Sequence, residues 1–265
     1  MTAVVDPVEF GIDEAGIAHI RFTRPDASNA LDPELAAAFE SAVDAVAVDP
    51  DARVVVLSGS GPNFCAGGDV MRMATAHDTR VFLSELAGSV HRALVTLESL
   101  PLPVVAAVQG AAAGAGLGLV LAADFVVAGR SSSFAAAYSA VGLSPDCGVS
   151  ALLPRIVDTR RTAQMLLTGR ALSGVEALEW GLITDLVDDE HIETRTNELA
   201  LILATAAFPA IGQTRRLIRA SLSRSHVDQL EDEARTIASV GTSDCAMERI
   251  SKFGERRRPA GSQET

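Results

Sequence analysis

The stretch "PVVAAVQGAAAGAGLGLVLAADFVVAG", residues 103–129, decides the fold of this chain. Two short apolar runs, "PVVAAV" and "DFVVAG", enclose a glycine-rich loop and a second apolar segment, "AGLGLVLAA". Short apolar runs bounded by glycine and proline predict buried strands, and the segment between them predicts a buried helix. The stretch therefore predicts one strand–loop–helix–strand unit of an α/β protein.

The same succession of strand and helix recurs on both sides of this stretch. The segment "GIAHIRFTRP" alternates between apolar and polar residues and predicts a strand, as does the apolar run 54–57. Asp32 followed by Pro33 predicts a helix start, because Asp is a favoured N-cap and Pro suits the first helical position. Farther along, Ser173 and Glu176 form a capping box that predicts another helix start.

The end of the chain has a different pattern. From about His191 onward only helical patterns occur, with breaks at Pro209 and near Gly241. The sequence thus predicts an α/β core over residues 1–195, followed by an all-helical region over residues 196–265.

Composition excludes several classes of protein. The formal net charge of −12 argues against nucleic acid or an anionic membrane as the partner. No apolar run is typical of a membrane-spanning helix, and "MTAVVDPVEF" lacks the pattern of a signal peptide, so we expect a cytoplasmic protein. Three distant cysteines, Cys65, Cys147 and Cys245, support neither a disulfide framework nor a metal site.

Two glycine-rich loops, residues 61–70 and 109–124, each follow a predicted strand and precede a predicted helix. Backbone N–H groups at such a junction form an anion site, although close packing of helix on sheet also favours glycine and alanine. Neither loop contains G-x-G-x-x-G or a lysine after a phosphate loop, so dinucleotide and nucleoside-triphosphate sites are poorly supported.

Taken together, "FCAGGD", "GAAAGAGLGLVLAAD" and "GLSPDCG" resemble the crotonase superfamily of enoyl-CoA hydratases and isomerases. The resemblance covers nearly the whole chain, including "RPDASNALDPEL", "LTGRALSGVEALEWGLITDLV" and "FGERRRP". It implies a spiral of ββα units and a helical C-terminal region that packs subunits into a homotrimer or a dimer of trimers. It also implies an acyl-CoA substrate, of which coenzyme A is a part, so no separate cofactor is expected.

The resemblance further implies a set of site residues. The thioester oxygen of the substrate would lie between the backbone N–H groups of Gly68 and Ala115, where an enolate forms. Positions that match the family's substrate contacts are Ala27, Ser28, Ala66, Gly114, Tyr138, Phe253 and Arg256. For Arg256, a solvated cluster with the two arginines that follow it is an equally good interpretation.

The sequence departs from the two-glutamate hydratases of the superfamily. Gly118 and Tyr138 stand at the positions of those glutamates, and neither residue suits the activation of water. Asp146 instead matches the reactive carboxylate of other members, such as isomerases of phenylacetyl-CoA breakdown and 4-chlorobenzoyl-CoA dehalogenases. A single carboxylate can shuttle one proton between two carbons, so the pattern favours an isomerase with Asp146 as general acid and base. Asp146 could alternatively be an N-cap for "CGVSALLPRIV".

Three alternative functions stay open at the level of sequence. One is a hydratase with a nonstandard water site. Another is a hydrolase in which Asp146 attacks as a nucleophile, with His91 as the candidate base, although a solvated or packed histidine is the commoner role. The third is a non-catalytic acyl-CoA-binding protein. Asp69 is expected to orient its loop, and Cys65 and Cys147 to be small buried residues.

Overall fold

The computed structural model describes the backbone of residues 6–257. Its strands are β1 (Val8–Ile12), β2 (Ile17–Phe22), β3 (Val54–Gly59), β4 (Val104–Val108), β5 (Ala111–Ala113), β6 (Phe125–Gly129), β7 (Ser133–Ala135), β8 (Ala171–Ser173) and β9 (Asp185–Val187). Its α-helices are α1 (Pro33–Val48), α2 (Val70–Thr75), α3 (Thr79–Ser99), α4 (Ala115–Ala122), α5 (Val149–Val157), α6 (Thr159–Thr168), α7 (Gly174–Glu179), α8 (Ile192–Ala204), α9 (Ala210–Ala220), α10 (His226–Gly241) and α11 (Asp244–Arg257).

Two sheets form the frame of the fold. The larger has six strands in the order β1-β2-β3-β4-β6-β9, in which only β1 and β2 pair antiparallel. The smaller has three strands in the order β5-β7-β8, with β5 and β7 parallel. Successive units β4-β5-α4 and β6-β7-α5 place their first strand in the large sheet and their second in the small one. This repeat confirms the predicted α/β spiral of ββα units.

A third turn of the spiral precedes these two. After β3 the chain approaches the small sheet, where Cys65 forms a parallel bridge with Ala112 of β5. The first glycine loop therefore lies beside the second, because both leave the small sheet at neighbouring positions. The parallel order of the sheets brings together loops that are distant in sequence.

The local signals read from the sequence have the expected structural roles. The Asp32 carboxylate accepts a hydrogen bond from the Leu35 amide at 2.9 Å and caps α1. Phe22 of β2 packs edge-to-face against both Phe39 of α1 and Phe64, and all three rings are fully buried. This aromatic cluster fixes α1 on the large sheet through the burial of apolar surface.

The described residues form two compact units. The first runs to Ala204, and the second consists of the segment Leu100–Leu102 with the residues from Thr205 onward. Helix α8 belongs to the first unit because it packs on β3, β4 and β6. The boundary predicted after residue 195 falls within α8, whose contacts with the sheet carry the first unit on to Ala204.

The second unit is helical, as predicted, and is held internally by polar contacts. The buried Arg215 guanidinium donates to the carbonyl of Leu100, and Asp232 of α10 pairs with Arg216 at 2.6 Å and with Arg224. Within the described residues, no helix has both the length and the apolar character needed to cross a membrane.

Candidate active site

One cavity of about 260 Å³ lies between the two glycine loops, α3 and the segment 137–147. The predicted site residues that line it are Ala66, Gly68, Gly114, Ala115, Tyr138 and Asp146. Its apolar walls are formed by Leu31, Val70, Met73, Leu83, Leu86, Ala87, Val90, Val141 and Leu143. A larger cleft of about 780 Å³ beside α8 is lined by mixed charged and apolar residues, and Gly68, Ala115 and Asp146 are not among them. The smaller cavity is therefore the candidate active site.

The first glycine loop is anchored on both sides of Gly68. The Leu31 amide donates to the carbonyl of Gly67, and the Asp69 amide donates to the carbonyl of Leu31. Gly67 has a φ of +94°, and a Cβ at that position would lie 2.8 Å from the carbonyl oxygen of Ala113, so only glycine fits. These bonds leave the Gly68 amide without a hydrogen-bond partner within residues 6–257.

Asp69 has the structural role expected of it. Its carboxylate accepts from the Arg72 amide at 3.1 Å and so caps α2, and it pairs with Arg24 at 3.3 Å. Both contacts are structural, and they hold the loop beside Gly68 in place.

The second glycine loop ends at the first turn of α4. Gly114 precedes the helix with a φ of +54°, and its amide donates to the carbonyl of Ala135. Ala115 begins the helix, and in the described part of the chain its amide has no hydrogen-bond partner. A Cβ on Gly67 would lie 3.4 Å from the Ala115 nitrogen, so the two loops are in contact. Two unpartnered amides thus border one cavity, which suits an oxygen that gains negative charge.

The carboxylate of Asp146 is held by Tyr138. The Tyr138 hydroxyl donates to Oδ1 of Asp146 at 2.7 Å. Helix α5 begins only at Val149, with Gly148 as its N-cap and no side-chain capping bond. The alternative that Asp146 is an N-cap is therefore wrong, because the turn at residues 147–148 moves the helix start beyond its reach.

The phenol of Tyr138 is a hydrogen-bond donor and not a base. Burial, and then the negative charge of Asp146, raise the pKa of Tyr138 well above its ordinary value. The same two causes raise the pKa of the Cys147 thiol, and burial raises the pKa of Cys65 to about 12. Both thiols stay protonated and are buried, as expected for small packing residues.

His91 contacts the same turn from α3. The Cys147 amide donates to Nε2 of His91 at 3.0 Å. A ring nitrogen of His91, a carboxylate oxygen of Asp146 and the sulfur of Cys147 lie within 4.8 Å of one another. They make a poor metal site, because Nε2 of His91 already accepts a hydrogen bond from the Cys147 amide. His91 is exposed, and it is not among the described residues that line the cavity.

Comparison with known proteins agrees with this geometry. Residues 13–264 match the family model described as enoyl-CoA hydratase/isomerase. The chain belongs to the enoyl-CoA hydratase/isomerase family. This membership confirms the resemblance to the crotonase superfamily that the glycine loops indicate.

Individual members of the family that resemble the chain carry different names. It is 35% identical to the 1,2-epoxyphenylacetyl-CoA isomerase of Escherichia coli K12, over 93% of this chain and 95% of the relative. It is 34% identical to 4-chlorobenzoyl coenzyme A dehalogenase-2 of an Arthrobacter species, over 90% of this chain and 87% of that relative. The crystal structure of an enoyl-CoA hydratase from Mycobacterium smegmatis matches with a TM-score of 0.89 and 30% identity, over 96% of this chain and 98% of that structure. The chain is thus an acyl-CoA-processing enzyme, and these names span three reactions.

The position of Gly118 explains how this family member differs from the two-glutamate hydratases. A Cβ at Gly118 would lie 2.6 Å from both the Cβ and the carbonyl oxygen of Cys147. The turn that carries Asp146 therefore occupies the space into which a side chain at position 118 would project. A glutamate at position 118 would therefore collide with this turn.

Ala27, Ser28 and Phe253 are not among the described residues that line the cavity. Ala27 and Ser28 end a short 3₁₀ turn, Pro25–Ala27, and the Ser28 carbonyl accepts from the Ala66 amide at 3.0 Å. Phe253 lies on α11 in the second unit and is 61% exposed. The side chain of Arg256 falls outside the described part of the chain, so its role stays a prediction.

The cavity also contains residues that the sequence did not indicate. Leu86 continues the apolar stripe of Val90 by one helical turn, and this spacing was the available signal. Met73 lies with its methyl group against Gly68, and no sequence pattern indicated that contact.

Proposed function

We propose that the protein is an enoyl-CoA isomerase that moves a carbon–carbon double bond with Asp146 as its general acid and base. One observation carries this proposal. Among the described residues that line the cavity, Asp146 has the only carboxylate, and the two unpartnered amides of Gly68 and Ala115 border the same space.

The proposed reaction is a proton transfer within one substrate molecule. The thioester oxygen accepts hydrogen bonds from the Gly68 and Ala115 amides, which stabilise the negative charge of the enolate. Each donor of this kind contributes about 3–4 kcal/mol to the transition state. Asp146 removes a proton from C2, the carbon beside the carbonyl, and the electron pair of that C–H bond passes to the thioester oxygen to form a dienolate. The protonated Asp146 then returns the proton to C4, the carbonyl reforms, and the double bond moves from C3–C4 to C2–C3.

Tyr138 supports this role because its hydroxyl binds only Oδ1 of the Asp146 side chain. The second carboxylate oxygen, Oδ2, is left for the substrate proton. The hydroxyl does not compete as a base, since its pKa is raised by burial and by Asp146.

Hydration is less well supported. Adding water requires a group that orients and deprotonates it and a second group that delivers a proton to carbon. Gly118 has no space for a glutamate, and Tyr138 stays protonated. A hydratase with a nonstandard water site would be identified by water addition to a 2-enoyl-CoA.

A second candidate is hydrolytic displacement, in which Asp146 attacks an acyl-CoA that carries a leaving group. The proximity of His91 to Asp146 favours it, because a base is needed to activate water against the ester intermediate. Two observations count against it: His91 lies outside the cavity lining, and its Nε2 accepts the Cys147 amide.

The cavity favours an uncharged acyl group of limited size. Its walls carry aliphatic side chains, and its polar side chains are confined to the Tyr138–Cys147 segment. The cavity volume of about 260 Å³ limits the size of the acyl group that it can hold.

A panel of substrates tests these candidates together. The purified protein is incubated in D₂O with 3-enoyl-CoA, 2-enoyl-CoA and 4-chlorobenzoyl-CoA, and products are followed by absorbance and mass spectrometry. The proposal expects conversion of the 3-enoyl to the 2-enoyl thioester. Hydroxyacyl-CoA or chloride as the main product would overturn it in favour of hydration or displacement, and binding without turnover would favour a non-catalytic protein.

Asp146→Asn is the matched variant. The amide keeps an oxygen for the Tyr138 hydroxyl but cannot accept a substrate proton at neutral pH. We expect isomerase turnover to fall about 10²–10⁴-fold while acyl-CoA affinity changes only a few fold. Asp158→Asn is the control, because Asp158 caps α6 outside the cavity. Full turnover by Asp146→Asn would refute the role of Asp146.

We also propose that the second unit packs subunits into a trimer or a dimer of trimers. Its described helices leave several large apolar side chains more than half exposed, namely Ile218, Val227, Leu230, Ile237, Met247 and Ile250. Exposed apolar surface of this extent is typical of an interface. Phe253 and Arg256 would then contribute contacts for the coenzyme A part of the substrate. Light scattering tests the assembly, and a monomer with unchanged turnover would rule out a role for it.

A further inference from the structure

The turn that carries Asp146 has an unusual backbone. Cys147 has a φ of +48° and Gly148 a φ of +75°, so two consecutive residues are left-handed. An L-residue such as cysteine is disfavoured in this conformation, which persists only where its surroundings hold it. The position of the Asp146 carboxylate therefore depends on the contacts that hold this turn.

Hydrogen bonds with three residues, Val149, Tyr138 and His91, hold it. The Val149 amide donates to the carbonyl of Asp146 at 3.0 Å, which closes the turn locally. The Tyr138 hydroxyl holds the carboxylate itself. The third bond, from the Cys147 amide to Nε2 of His91, is the one that ties the backbone between Asp146 and Gly148 to a long helix.

The direction of this third bond determines which nitrogen of the His91 ring carries the proton. A backbone N–H can only donate, so Nε2 of His91 accepts and carries no proton. The neutral ring then has its proton on Nδ1. His91 is thus engaged as an acceptor, on the outer side of a helix whose preceding residue, Val90, lines the cavity.

We infer that His91 is a positioning residue, which holds the Asp146 carboxylate over the cavity by accepting the Cys147 amide. The inference rests on the proposed role of Asp146 as general base. His91 itself touches neither substrate nor the transferred proton, and its contribution passes entirely through the backbone of the turn.

The chain offers a sharp pair of variants. In His91→Gln, the amide oxygen can occupy the place of Nε2 and accept the Cys147 N–H, but it cannot act as a base. In His91→Phe, the ring fills the same space and cannot accept. We expect His91→Phe to lower kcat about tenfold, the effect of losing one hydrogen bond, with KM within twofold. His91→Gln is expected to keep kcat within about twofold of the wild type.

Each outcome decides the inference. If His91→Gln is as impaired as His91→Phe, the imidazole takes part in the chemistry and the positioning role is refuted. If His91→Phe keeps full turnover, the hydrogen bond has no effect on Asp146 and the inference is also refuted.

A second measurement does not depend on turnover. Hydrogen–deuterium exchange at the Cys147 amide should be faster in His91→Phe and unchanged in His91→Gln. If the wild type converts no enoyl-CoA while the exchange rates follow this pattern, the proposed isomerase function fails and the hold of His91 on the turn stands. Equal exchange in all three proteins would refute that hold.

Discussion

Adding one methyl group at Gly118 is expected to displace the turn that carries Asp146. A Cβ there would lie 2.6 Å from both the Cβ and the carbonyl oxygen of Cys147, whereas ordinary contacts lie at 3.4–4 Å. Relief requires a movement of about 1 Å, and overpacking of this kind costs about 1–3 kcal/mol. Alanine is favoured over glycine in a helix by about 1 kcal/mol, so Gly118→Ala should be destabilised by at most roughly 2 kcal/mol.

The effect on turnover should be larger than the effect on stability. Misplacing a reacting group by about 1 Å lowers the rate by roughly 10²-fold. For a chain of this size, the lost stability corresponds to a fall in Tm of at most roughly 8 °C. Scanning calorimetry and isomerase kinetics measure the two effects on the same preparation.

Gly88→Ala is the matched control. Gly88 also lies inside a helix, α3, but a Cβ there would meet only Nη1 of Arg92, at 3.6 Å. We expect this variant to gain up to about 1 kcal/mol and to keep full turnover. A Gly118→Ala protein with unchanged Tm and turnover would show that the turn does not occupy the space beside Gly118.

Other substitutions give further tests. Ala115→Pro removes one amide donor and should lower turnover at least about 10²-fold in a protein whose circular dichroism is unchanged; a fully active variant would contradict the oxyanion assignment. Asp32→Ala should cost about 1–2 kcal/mol more than Asp32→Asn, because both variants lose the ion pair with Arg24 at 2.9 Å but asparagine keeps the cap of α1; equal losses in urea unfolding would refute capping. The Ser173 amide and then Arg170 lower the pKa of Glu176 from 4.5 to about 2, so its stabilisation is present above pH 4.5 and lost as pH falls toward 2. Glu176→Gln should flatten the fall of Tm over that range, and an unchanged profile would contradict this.

The sequence predicts the frame of the fold well because the frame depends on strong local signals. Helix α4 is buried along its whole length, and its flanking strands β4 and β6 are almost entirely apolar. Burial on all sides requires an unbroken apolar sequence, which is visible without tertiary information.

The helices and strands that the sequence does not predict lack such signals. The strands β5, β7 and β8 have three residues each, too few to show an alternating pattern. The first half of α3 turns its apolar residues Leu83, Leu86 and Ala87 toward the cavity. The wall of a cavity requires only a few apolar residues among polar ones, so the helical pattern of this half is weak.

The role of Asp146 could not be settled by its own sequence environment. An aspartate shortly before a helix is compatible with a cap and with a catalytic base. The distinction depends on where α5 begins, and the left-handed backbone at Cys147 and Gly148 sets that point. Cysteine is not a residue that predicts such a backbone, so only the structure separates the two roles.

The lack of space at Gly118 links two differences from the two-glutamate hydratases that look independent in the sequence. A glutamate at position 118 and the present turn at Cys147 would occupy the same space, so one conformation of the cavity cannot contain both. The absence of the hydratase glutamate and the presence of the Asp146 turn therefore depend on each other. It follows that Gly118→Glu alone should not create a hydratase, because the new side chain would first expel the turn and with it the Asp146 carboxylate. A gain of hydration activity in Gly118→Glu with isomerase turnover retained would show that the two arrangements are compatible and would refute this reasoning.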